Sequence, residues 1–473
     1  MRKNSESIGK FRDVMVKQPF TKKIFTPQKA VKGLFLSLKL SKWQYITLRE
    51  TAIREGFRNF YPSYYQVQKE KKECYPPENS ITVTDSSAKS TLQSLLDVTA
   101  KRILKSLPDN IQGKEMILVS KWGCDGASSQ NDDSSIFMTS LMPLKIMCEE
   151  KTVWENPKPC SPAFCRPVQF QFVKESEAVV KAEVTKMKKE ISDLRPTEYE
   201  TNKVTHDLMM TMVDAKICTY LSEAKSNAAC YICLAKPTEM NNLEAVEKRV
   251  TSPEMLKFGL SSLHARINVM GCLLNISYRL DIKKSSVRGK EEQNVRVAKK
   301  KIVQDRFKNE LGLLIDVVKQ GHGTTNDGNT ARKFFEDPVK TADITGLDAE
   351  LIHRFAVILQ AITSGECLYN WYYMSATVHK MLLHGADIIT CNAIVPIGNL
   401  SEEALEARNK DFRRFKEHNS RKKRRVSSNE DILNFLLSSD PLISSINAKK
   451  NKIFFTDYPE KKHRNKLRGQ SLF

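Results

Sequence analysis

The stretch Met209–Lys216, MMTMVDAK, is apolar but for one threonine and then stops on an acid, Asp214. An isolated carboxylate at the end of a strand bound for a protein interior costs several kcal/mol unless something pairs with it. A second apolar run, Met116–Val119, also precedes an aspartate, Asp125. Between the two lie the strand-like SIFMTSLMPLKIMC and PVQFQFVKES, then the helical ESEAVVKAEVTKMKKEISDL. Three strands, a helix and a fourth strand make a mixed α/β pattern. If the first and fourth strands are parallel neighbours, their ends lie close enough for Asp125 and Asp214 to share a site. Two acids so placed repel unless a cation sits between them, and Mg²⁺ is the usual resolution.

A third acid from a later helix would complete a two-metal cage. NLSEEALEARNKDFRRFKEHN, residues 399–419, reads as that helix, with Ser401 as N-cap, an acidic first turn and cations towards its end. Glu402 and Glu406 share a face, but periodicity alone does not choose among Glu402, Glu403 and Glu406. Upstream, residues 1–37 read as a flexible basic arm, and 38–110 as a helical region closed in part by Pro76-Pro77. Within that region Ser86–Leu107 reads as an amphipathic helix, and Trp43, Tyr45, Tyr61, Tyr64 and Tyr65 read as core aromatics. Residues 111–229 hold the strands and the first two acids, 230–395 a largely helical insertion, 396–440 the glutamate helix, and 441–473 a basic tail.

Cys230 and Cys233 stand at CxxC spacing in CYIC, and His379 and His384 are five apart in HKMLLH; together they make a plausible Cys₂His₂ tetrahedral zinc site. Charge speaks to the partner. Lys and Arg number 76 against 55 acids, a net +21, which favours polyanions, and phosphate backbone above all. In the loop-like NDGNTARKFF, small residues around Asn329 let phosphate approach backbone N–H groups, and Arg332 and Lys333 would neutralise it. The runs SRKKRR (420–425) and KKHRNKLR (461–468) suit nuclear import. Eleven irregularly spaced cysteines do not make a disulfide framework and point to a reducing compartment. No apolar run approaches the roughly 18 residues that span a bilayer, and the N-terminus has no apolar h-region.

Six motifs in register carry a resemblance: CDG (124–126), NPKPCSPAFCRP (156–167), CYIC (230–233), GNTARK (328–333), VHKMLLH (378–384) and EARNKDFRRF (406–415). From about residue 38 to residue 440 the chain resembles the catalytic core of the Transib transposases and of the catalytic subunit of the vertebrate V(D)J recombinase. The resemblance implies an α/β, RNase H-like mixed sheet with flanking helices, a helical N-terminal region for dimerisation and DNA binding, and a large helical zinc-containing insertion. It places the acidic triad on Asp125, Asp214 and Glu406, as ligands of catalytic Mg²⁺ or Mn²⁺, and a structural Zn²⁺ on Cys230, Cys233, His379 and His384. Arg408, Arg413 and Arg414 would grip the strand being cut.

The implied activity is that of a DDE-type DNA transposase or recombinase. Such an enzyme nicks double-stranded DNA at terminal inverted repeats, forms hairpins on flanking DNA and carries out strand transfer, as a nuclear homodimer without membrane association. The second expectation is a transposase-derived protein that binds DNA through the same surfaces and no longer cuts. One departure is local: Leu359–Met374 is shorter than its counterpart, and a helix lost there would displace the histidine pair and, through it, Glu406.

Overall fold

The computed structural model describes residues 40–58, 60–107, 114–127, 135–284, 286–319, 323–359, 374–442 and 444. The basic arm, nearly all of the basic tail with its KKHRNKLR run, and the shortened stretch from 360 to 373 lie outside the described residues. The chain divides into two compact units, residues 1–73 and 74–473.

In the first unit, α1 (Lys42–Arg54) and α2 (Tyr64–Lys72) each start on a capping box, Ser41 with Gln44 and Ser63 with Gln66. Each box satisfies two N-terminal N–H groups reciprocally, so these short helices begin where the sequence dictates. Tyr45 is buried, with its hydroxyl donating to the Pro62 carbonyl at 2.8 Å. Trp43 and Tyr65 are exposed, so the aromatics expected to build core divide between core and surface.

The second unit is mixed α/β around one eight-stranded mixed sheet. Its strands are β1 (Ile81–Val83), β2 (Ser87–Ser90), β3 (Glu115–Ala127), β4 (Ile136–Cys148), β5 (Lys151–Glu155), β6 (Arg166–Gln171), β7 (Thr197–Tyr199) and β8 (Asn202–Met210). The order is β1-β2-β6-β4-β3-β8-β7, with β5 on β4; every pairing is antiparallel except β3 with β8, which runs parallel from Glu115↔Lys203 to Trp122↔Met210. Central β4, and β3 from Leu118 to Cys124, are covered on both faces, which is why β4 reads as a nearly continuous apolar run rather than an alternating one.

Two expectations are corrected here. Ser86–Leu107 is not one helix: Ser87–Ser90 forms β2 and pairs with β6, and only Leu92–Leu104 (α3) is helical. Sheet pairing overrides helical periodicity for those four residues, and it draws residues 81–104 into the sheet-bearing unit rather than the N-terminal helical region. Strand β8 stops at Met210, so Asp214 does not end a strand. It caps the next helix instead.

The remaining helices of this unit are α4 (Glu177–Ser192), α5 (Ala215–Leu221), α6 (Leu243–Glu247), α7 (Pro253–Leu256), α8 (Ser262–Ser277), α9 (Lys290–Leu311), α10 (Gly328–Phe334), α11 (Pro338–Thr345), α12 (Ala349–Ile358), α13 (Ala376–Cys391), α14 (Glu403–His418) and α15 (Arg425–Leu437). The NDGNTARKFF segment is therefore largely helix, not loop. Asp327 caps α10 by accepting from Thr330 N–H, and Gly328 lets α10 approach α8, since a Cβ there would sit 2.5 Å from Leu263. Among the described residues no helix is long and apolar enough to cross a membrane.

Candidate active site

Two glycines bring the acids together. After β8 the chain continues extended along β3, with the N–H groups of Thr211 and Met212 both donating to the Trp122 carbonyl at 3.1 Å. A Cβ on Gly123 would lie 1.8 Å from the Met212 carbonyl oxygen, so only glycine permits this approach. The approach delivers Asp214 to the end of β3, where Asp125 stands. Gly126 plays the same part for Glu175: its N–H donates to Glu175 Oε2 at 3.0 Å, where a Cβ would collide with that side chain.

Asp214 accepts from Ile217 N–H at 2.8 Å through Oδ1, as the N-cap of α5. Asp125 accepts from Asn409 Nδ2 at 2.6 Å. Burial, and then the negative charges of Asp214, Glu175, Glu406 and Glu402, push the Asp125 carboxyl up to about 8. Burial likewise raises Asp214 and Glu406 above the ordinary carboxylate range. Lys216 meets Glu175 at 2.8 Å.

Across the cluster, His264 on α8 stands between two glutamates, Nδ1 2.5 Å from Glu402 and Nε2 3.3 Å from Glu406. Its hydrogen bond with Glu402, and the charges of Glu402, Glu406 and Asp214, raise the imidazole to about 9, so it is cationic at neutral pH. Ser261 also donates to Glu402, whose second oxygen is buried without a partner. Among the described residues, His264, Glu402 and Glu406 offer ligand atoms that all lie within 4.8 Å of one another, whereas Asp125, Asp214 and Glu406 are not such a group. The expected triad thus shares one electrostatic field but is not drawn into one tight cage; the imidazolium occupies part of the space between acids.

Helix α14 is fixed to the sheet from below its first turn. The buried Lys121 ammonium on β3 donates to the carbonyls of Asn399 and Ser401, each at 2.7 Å. Lys145 on β4 holds the Ile394 carbonyl at 2.7 Å, and Cys160 the Gly398 carbonyl at 3.3 Å. Glu402 rather than Ser401 is the N-cap residue, without a side-chain cap, because its carboxylate is turned to His264.

The basic residues divide. In DFRRF, Phe412 and Phe415 point inward, against Phe170 at 5.0 Å and Phe435 at 5.1 Å, while Arg413 and Arg414 face outward. Arg408 is a correction: it is buried, donates to the Cys165 carbonyl at 2.9 Å and pairs with Asp411 at 3.3 Å, so it holds the fold and has no surface to offer DNA. Asn329, Arg332 and Lys333 are exposed on α10. Arg332 bonds Asn329 and Glu403, at 3.0 and 2.7 Å, which ties α10 to α14.

Cys230, Cys233, His379 and His384 converge in the core, their ligand atoms all within 4.8 Å. A tight turn makes the CxxC knuckle: Leu234 N–H donates to the Cys230 carbonyl, Cys230 N–H to the Ala235 carbonyl, and Leu234 takes a positive φ of 60°. Cys233 Sγ is 3.3 Å from His379 Nε2, and His384 Nε2 is buried with no hydrogen-bond partner. Hydrogen bonds from Cys230 and both histidines pull the Cys233 thiol well below its usual range, while Cys230 is pushed up. Two cysteine sulfurs, one of them favoured as thiolate, and two imidazoles, one with an unpartnered nitrogen, form a group that can hold a metal ion such as zinc. The described cysteines are all free thiols.

Sequence reasoning missed Glu175, His264, Asn409 and Lys121. Glu175 carries the same signal as the two aspartates, an acid just past an apolar strand; the other three carry none. No family model matches this chain, and no curated protein matches it.

Proposed function

We propose that this chain is a DDE-type DNA transposase or recombinase with an RNase H-like core, cutting DNA by metal-assisted phosphoryl transfer. The observation that carries the reading is the parallel β3–β8 pair that sets Asp125 beside Asp214, with Glu406 in the same field. Five carboxylates gather with Lys216, His264 and Lys410 among the nearby cations, and burial together with the neighbouring negative charges raises Asp125 to about 8. That gathering of negative charge suits a divalent cation.

Asp125, Asp214 and Glu406 would hold Mg²⁺ or Mn²⁺, which supplies charge stabilisation to the attacking and leaving oxygens of an in-line displacement. The chain's own residues do the rest. Asn409 orients Asp125, and the capping bond of Asp214 leaves its other oxygen for the site. Lys121 fixes the start of the helix that carries Glu406. Arg413, Arg414 and Lys333 supply exposed positive charge for the phosphate backbone. A Zn²⁺ on the Cys/His group would join the CYIC knuckle to α13 with no open position, a structural role.

Nicking, hairpin formation on flanking DNA and strand transfer repeat one displacement with different nucleophiles. Pairing two DNA ends calls for two copies of the chain, in the nucleus. The test is Mg²⁺-dependent nicking of a duplex that carries the inverted repeats flanking the coding sequence. Nicking lost in Asp125→Ala and Asp214→Ala supports the enzyme. Salt-sensitive binding with no nicking by the unaltered chain overturns it in favour of a DNA-binding relative that no longer cuts.

A further inference from the structure

Beside Asp214 lies a cleft of about 120 Å³, lined among others by Tyr231, His264, Asn268, Thr377 and Lys380. It is a small, partly open space with room for an oxyanion that enters from solvent. Lys380 is only 3% exposed, yet its ammonium makes no hydrogen bond or ion pair among the described residues. The face of Tyr231 lies against it, 4.0 Å from the ring centroid, and Cys218, Cys230 and Asp214 act on it electrostatically without a direct ion pair. Burying an ammonium without a direct hydrogen-bonded anion is unfavourable, and a ring face and the field of Asp214 offset only part of that.

Thr377 lies in the first turn of α13 and Lys380 in the second. Asn268 Nδ2 donates to Thr377 Oγ1 at 3.0 Å, which leaves the threonine's own hydrogen free to donate into the cleft. A buried cation and a hydroxyl donor line one small space. Asp214, on the same wall, disfavours a multiply charged anion and tolerates a monoanion.

We propose that this cleft seats one phosphodiester of the nucleic-acid strand that reaches the acid cluster, held by Lys380 and Thr377. The assignment rests on reading the acid cluster as a DNA-processing site, and goes beyond it by naming where the strand is gripped. Free inorganic phosphate shares the chemistry but carries more charge.

The experiment is equilibrium binding of a labelled duplex oligonucleotide across a KCl series, with zinc content and melting temperature recorded for each variant. Lys380→Met should weaken binding about tenfold and flatten the slope of log affinity against log salt by about 0.9, the contribution of one phosphate contact on a duplex. Lys380→Arg should restore the slope. Thr377→Val, a neutral change, should weaken binding about three- to tenfold with the slope unchanged, and inorganic phosphate at matched ionic strength should not compete. An unchanged slope in folded Lys380→Met overturns the assignment, as does phosphate that displaces the duplex. Should Lys380→Met fail to fold, Thr377→Val decides: wild-type affinity there overturns it. An unaltered chain that binds no DNA sinks the DNA reading as well, whereas binding with unmoved slopes sinks the cleft alone.

Discussion

The two side-chain clusters of this unit are built from opposite materials. Around Cys230, Cys233, His379 and His384 the donors converge and are buried. Around Asp125, Glu175, Asp214, Glu402 and Glu406 the donors share a field, but one keeps its proton and an imidazolium stands among the others. Neutral imidazoles and thiols repel one another little, so four of them pack without a strong mutual penalty. Carboxylates at neutral pH repel, and they close together only around compensating charge. One cluster is a converged four-donor group that could bind a metal ion; the other is a spread of carboxylates whose charge is not balanced.

That contrast sets the ranking of expected effects. The largest falls on nicking: on the proposed reading, Asp125→Asn and Asp214→Asn should each cut Mg²⁺-dependent turnover by about 10³-fold or more, because each would remove a metal ligand. In the same proteins without Mg²⁺, Asp125→Asn should melt no lower than the unaltered chain, since it removes a repelled acid. A clear drop in its melting temperature would break the comparison. By contrast, Cys233→Ala or His379→Ala should lose the zinc signal and about 4 kcal/mol of stability, read by metal analysis and denaturant unfolding.

Gly123→Ala tests the geometry between the two clusters. Its Cβ would fall 1.8 Å from the Met212 carbonyl, so the segment leading to Asp214 must leave β3. A cost of about 4 kcal/mol is expected, with loss of nicking and retention of zinc in any folded fraction.

Smaller, and sharper as a sign, is the pH response of Mg²⁺-free protein. Asp125 titrates near 8 and His264 near 9 in the fold, both above their unfolded values. The folded chain therefore binds more protons than the unfolded one between about pH 4 and 9. Stability present at the acid end is lost as pH rises through 8 to 9. Melting temperature measured across pH 5 to 9 should fall, and saturating Mg²⁺ should flatten the trend. The smallest effects separate the arginines: Arg408→Ala should cost about 3 kcal/mol by orphaning buried partners. Arg413→Ala should change stability by about 0.5 kcal/mol or less and flatten the salt slope of DNA binding by about 0.9.

Much of this was written in the order of residues. Apolar runs ending near Asp125 and Asp214 marked a strand pair, the CxxC and paired histidines marked a four-donor set, and the shortened stretch before α13 did not keep that set from assembling. These were legible because strand periodicity and short-range spacing are local properties. Among Glu402, Glu403 and Glu406, local spacing left the choice open, and the fold separates them: His264 pairs with Glu402 and Glu406, and Arg332 with Glu403.

What only the tertiary structure decided is the company each charge keeps. Arg408 lies two residues from Glu406 yet turns inward to Cys165, and Lys121 in an apolar strand reaches carbonyls from the far end of the chain. Ser87–Ser90 continues a helical pattern in sequence and is a strand in space because β6 offers it a pairing edge. A side chain's charge and shape are fixed by its residue type. Whether that charge meets water, a carbonyl or another carboxylate depends on segments hundreds of residues away, whose arrival no local pattern encodes.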